Sequence, residues 1–95
     1  MVRQNEAFLT LMQEIHTAAN GALPVSITPF MCLALTEETK RLLLRRERTP
    51  REYAAIMVAA GEMANHGSVE PVDAIVRRFL GGDRRWSARW LPWVS

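Results

Sequence analysis

Residues 28–53 read TPFMCLALTEETKRLLLRRERTPREY, and the fold turns on how the six apolar residues Phe30 to Leu35 within that stretch are built. A short apolar run suits a buried strand and a buried helix equally well. Thr28-Pro29 offers one helix start, because a proline in the first turn lacks only an N–H that would have no partner there. Thr36 followed by Glu37 and Glu38 offers another, since threonine caps and first-turn carboxylates suit the helix dipole. Both starts stay open, and so does a short extended segment near residues 25–35. From either start, Leu42, Leu43 and Leu44 run into Arg45-Arg46, a cationic last turn that predicts an end near Glu47 or Arg48.

The next boundary is sharper. Thr49-Pro50-Arg51-Glu52 places a capping threonine, a proline at the first helical position and a glutamate at the third, which together make a capping box. Tyr53, Ile56, Met57, Ala60 and Ala64 then keep helical spacing up to Asn65-His66-Gly67, and Ala54, Ala55, Ala59, Ala60 and Gly61 leave room for a second helix to approach. Pro71 opens a further helix with Val72, Ile75, Val76, Phe79 and Leu80 on one stripe, stopped by Gly81-Gly82.

On the amino-terminal side, Phe8, Leu11, Met12, Ile15 and Ala19 fall on one face of a helix expected over about Asn5 to Asn20, with Asn20-Gly21 as a left-handed stop. Gly21 to Pro29 reads as a connector. After Gly82 the residues change character: Trp86, Trp90 and Trp93 recur at helical intervals among Arg84, Arg85 and Arg89. The expected organisation is therefore a helical domain over residues 1–82 and a Trp/Arg-rich tail over 83–95 that docks on the domain or on a partner.

Composition sets the outer limits. Of 95 residues, 48% are hydrophobic and 23% charged, a globular balance rather than the signature of disorder. No apolar run approaches the roughly twenty residues needed to cross a bilayer. The first residues lack a signal-peptide core, which predicts a cytoplasmic protein. Cys32 has no second cysteine to pair with and reads as a small core hydrophobe. Eleven of the twelve cationic residues are arginine, and they cluster: Arg41, Arg45, Arg46, Arg48 and Arg51 beside Lys40, then Arg77, Arg78, Arg84, Arg85 and Arg89. Such clusters suit anionic surfaces, although Glu37, Glu38, Glu47 and Glu52 are interleaved with the first.

Chemistry-bearing patterns are sparse. His16 and His66 lie in different helices without cysteine or carboxylate neighbours at ligand spacing, and no CxxC, HExxH, P-loop or GxSxG occurs. The expectation is a protein with no catalytic residues, no metal, no cofactor and no small-molecule substrate. Tryptophan and arginine are the side chains most enriched at binding hot spots. Trp86, Trp90, Trp93, Arg85 and Arg89 are therefore the candidate partner-binding residues.

Residues 30–63 also resemble ribbon-helix-helix transcriptional regulators: an apolar piece Phe30 to Leu35, a helix from Glu37 to Leu44, then Arg48-Thr49-Pro50-Arg51-Glu52-Tyr53 opening a second helix. The resemblance implies an intertwined dimer that reads DNA with paired strands and sets the second helix's N-terminus on phosphate. The strand positions here carry no polar base-reading side chains, so the resemblance departs from the family where DNA is read. The nucleic-acid contacts it leaves are Arg41, Arg45, Arg48 and Arg51 on phosphates. The reading as a whole is a mainly α, compact bundle of about four helices, dimeric through its excess apolar surface. Its expected role is a non-enzymatic regulatory protein that binds and modulates another protein, such as a transcription factor or effector complex; the alternative is a DNA-binding regulator.

Overall fold

In the computed structural model, residues 2–67 and 69–82 are described, and among them five helices follow one another: α1 (Val2–Ala19), α2 (Ile27–Ala34), α3 (Glu37–Leu44), α4 (Pro50–Asn65) and α5 (Val72–Leu80). The count exceeds the expected four by one, and the additional helix is α2. Of the two readings left open near residues 25–35, strand or helix, the structure takes helix from Ile27 to Ala34. Ile27, Met31 and Leu35 recur at intervals of four and are all buried, whereas a strand would have aligned Met31 with Leu33, which is 90% exposed. Pro29 lies in the first turn of α2, where no intrahelical donor is lost.

Both helix starts weighed for residues 28–37 are used, with a break between them. Leu35 is extended (φ −92°, ψ 139°), and Thr36 caps α3 by accepting from the Thr39 N–H at 3.2 Å. The Thr36 N–H leaves the helical ladder and donates instead to Asp73 Oδ1 of α5 at 2.8 Å, with the Thr36 hydroxyl at 3.2 Å from the same oxygen.

Helix α4 is the central element. Its alanines 54, 55, 59 and 60 are buried, and without bulky side chains they let α1 pack on one flank and α5 on the other. The core joins Phe8, Leu11, Met12 and Ile15 of α1 to Ile56 and Met57 of α4, with Ile75, Val76 and Phe79 arriving from α5. Leu43 is the buried residue of the leucine run in α3, and Leu44 is only partly covered. Lys40 is buried too; its Nζ lies 5.6 Å over the Phe8 ring and 3.5 Å from Glu37. The aliphatic stem joins the core while the ammonium keeps an ion pair at the edge.

The start of α4 is built as its sequence predicts. Thr49 Oγ1 accepts from the Glu52 N–H at 3.2 Å, and Glu52 Oε1 accepts from the Thr49 N–H at 2.9 Å. Thr49→Ala removes one half of this box and is expected to lower unfolding stability by about 0.5–2 kcal/mol, read from the urea midpoint. An unchanged midpoint would show that α4 is held by packing alone.

Helix α1 begins at Val2, earlier than the expected Asn5. Gln4 accounts for the extra turn, since its side-chain amide donates to the carbonyl and the carboxylate of Glu37 at the head of α3. Its other end stops where expected, with Asn20 (φ 51°) and Gly21 (φ 89°) in the left-handed region. Arg46 also takes a left-handed backbone (φ 54°), and its guanidinium forks onto Glu14 of α1 with both contacts at 2.8 Å.

Candidate functional site

The described surface has one place where apolar side chains gather unburied, and it belongs to α2. Apart from Thr28 that helix is apolar, so turning Ile27 and Met31 into the core leaves Phe30 46% and Leu33 90% exposed. A helix of this composition is ordinarily covered all round. Between α2 and α4 runs a groove of about 410 Å³. Leu23, Pro24, Ile27 and Phe30 form one wall; Met57, Val58, Gly61 and Ala64 form the other. Val25, 89% exposed, sits between Pro24 and Ser26, both of which line the groove.

Gly61 opens the floor of this groove. A Cβ placed there would meet no described atom within 4 Å. Among the described residues, the only ionisable one lining the groove is Glu62, whose carboxylate lies 3.3 Å from His66 Nε2. His16 links α1 to α2 through a 3.0 Å contact between its Nε2 and the Thr28 hydroxyl, which holds the far side of α2 in place. The groove is thus an apolar trough with one acidic edge.

The strongest electrostatic perturbations lie elsewhere and are structural. The Arg46 guanidinium holds the Glu14 carboxyl below its ordinary value, and burial pushes the Tyr53 hydroxyl up. At Asp73 burial pushes upward. Hydrogen bonds from the Thr36 N–H and the Thr39 and Thr36 hydroxyls, with the charge of Arg77 nearby, outweigh it and leave the carboxyl below its ordinary value. No three His, Cys, Asp or Glu side chains come together among the described residues. No described helix is long and apolar enough to cross a membrane.

The residues expected to bind a partner, Trp86, Trp90, Trp93, Arg85 and Arg89, lie outside the described residues. The four arginines considered for phosphate contact meet different surroundings. Arg41 is exposed on α3 and donates from Nε to Gln4 Oε1 at 3.3 Å. Arg45 is the exposed C-cap of that helix. Arg48 is half-buried and reaches the Leu80 carbonyl at the end of α5, at 3.3 Å. Arg51, exposed in the first turn of α4, lines a hollow with Ala18, Ala19 and Gly21. Other members of the clusters are engaged within the fold: Arg77 meets Glu38 at 2.7 Å and Arg78 meets Glu70 at 2.6 Å.

Sequence reasoning singled out the Phe30–Leu35 run but did not identify Phe30 and Leu33 as surface residues. The signal was present in the all-round apolarity of that run, which can be fully covered only in the interior of a larger assembly. Compared with protein-family models, curated proteins and solved structures, the chain matches none.

Proposed function

We propose that the chain is a non-catalytic regulatory protein that binds and modulates another protein, with the outer face of α2 and the adjoining α2–α4 groove as the contact surface. The observation that carries this reading is the exposure of Leu33 and Phe30 one turn apart beside an apolar groove. A lone exposed leucine is ordinary, but a contiguous apolar patch with a polar rim is the usual mark of an interaction site. The trough suits an amphipathic partner helix laid in by its apolar face. Trp86, Trp90 and Trp93, with Arg85 and Arg89, add side chains of the hot-spot type to the same contact.

A photo-reactive residue in place of Leu33 tests this in cells that express the full chain, with the same residue in place of exposed Glu6 on α1 as the control. The expected result is one discrete cross-linked protein from position 33, absent from position 6 and lost when Phe30→Asp is added. Equal labelling at both positions, or no protein at position 33, would overturn the reading.

A further inference from the structure

We infer that the outer face of α2 is a two-fold interface, on which a second copy of the chain lays its own α2 and from which it departs when another protein takes the face. Ser26, the N-cap, and Pro29, Phe30 and Leu33 are all exposed and stand at the i, i+3, i+4, i+7 spacing of one helical face. A helix with such a stripe beside its inward-facing Ile27 and Met31 is built to pack on two sides, and the fold covers one of them. The most extensive helix pairs are α1–α4, α4–α5, α1–α3 and α3–α5, and α2 belongs to none of these.

Charge selects the occupant. Between His16 and Glu37 the chain carries no acidic or basic side chain. In a two-fold interface the residues near the axis meet their own copies, so a charge there meets its like, and the α2 face has none to repel. It equally offers no charge by which a partner of opposite sign would be chosen. Shape agrees, because each molecule holds both projecting apolar side chains, Val25 and Leu33 at 89% and 90% exposure, and an apolar recess of about 410 Å³ alongside α2. A two-fold arrangement uses both at once and closes at two copies. Eight residues make only about 12 Å of helix, and such a face falls short of the roughly 800 Å² per partner of a standard interface. The pairing is therefore reversible at micromolar concentration, and a partner that fills the groove more completely displaces it. That displacement rests on the protein-binding reading above; the pairing does not.

Sedimentation velocity of the purified full chain across micromolar concentrations tests the pairing, and the expected result is a monomer that passes to a dimer and to nothing larger. Leu33→Lys places a cation in the last turn of α2, where it suits the helix dipole but meets its like across the axis. It should weaken the dimer by about tenfold or more with far-UV circular dichroism unchanged, and Phe30→Lys should do the same independently. Leu9→Lys, at a 45% exposed leucine of α1, is the control and should move the dissociation constant by less than about twofold. A chain that stays monomeric throughout would overturn the inference and leave the face to another protein or to the chain's own residues 83–95. A dimer that neither α2 variant weakens, or that Leu9→Lys weakens as much, would place the interface elsewhere and overturn it equally. Species that grow beyond the dimer would remove the two-fold axis. No other protein is present in these measurements, so a monomer leaves the Leu33 capture untouched. A dimer with no foreign protein captured at position 33 would overturn the function proposed above and not the pairing.

Discussion

Phe79→Ala is expected to lower the unfolding free energy by about 3–5 kcal/mol, since a fully buried phenylalanine loses its transfer energy and leaves a cavity besides. Phe79 is 0% exposed and is the largest side chain that α5 contributes to the core, next to Ile75 and Val76. A domain of this size has a total stability of about 5–15 kcal/mol, so the variant stands near the edge of folding. Urea unfolding followed by far-UV circular dichroism measures the loss, with Leu33→Ala as the comparison. Leu33 is exposed, and its truncation should stay within about 0.5 kcal/mol of the native chain. A loss under about 1 kcal/mol for Phe79→Ala would mean that α5 is not integral to the core.

The second large effect is expected at Asp73. Its carboxylate accepts from the Thr36 N–H and hydroxyl, and so joins the head of α3 to the first turn of α5. Asp73→Ala leaves the Thr36 N–H without that acceptor at an exposed residue. The expected cost is about 1.5–3 kcal/mol, the range for hydrogen bonds to a charged group. The sign of the pH dependence follows from the lowered carboxyl. A group whose folded value lies below its unfolded one contributes fully above the unfolded value, and loses that contribution as the pH falls through the folded one. Native stability should therefore decline as the pH drops below about 4, and Asp73→Ala should flatten part of that decline. Glu14, held low by Arg46, acts in the same direction and leaves a residual slope in the variant. Parallel acid limbs for the two proteins would remove Asp73 from the account.

These two positions also separate what was legible in the sequence from what was not. Phe79 sits on a clean helical stripe, Val72, Ile75, Val76, Phe79 and Leu80, and its burial follows from spacing alone. The role of Asp73 does not, because its partner Thr36 lies 37 residues away and no local pattern connects them. The same division runs through the candidate site. The apolar run from Phe30 to Leu35 was conspicuous, yet its spacing admitted strand and helix alike, and nothing in it said which side would stay uncovered.

The sequence by itself determined the elements whose signals are local. The capping box at Thr49 and Glu52, the stripes of α1, α4 and α5, and the left-handed stop at Asn20 and Gly21 each involve residues within a few positions of one another. Their free energies are available to the chain before it folds, so the pattern and the outcome agree. Tertiary structure alone decided that the boundary at Leu35 is tied to α5, where an Asp73 oxygen takes the Thr36 N–H. It alone decided that Ile27 and Met31 turn inward, leaving Phe30 and Leu33 to solvent. The physical reason is that neither is signalled locally: Thr36 meets an acceptor 37 residues away, and a largely apolar helix carries no preference for a face until its neighbours select one.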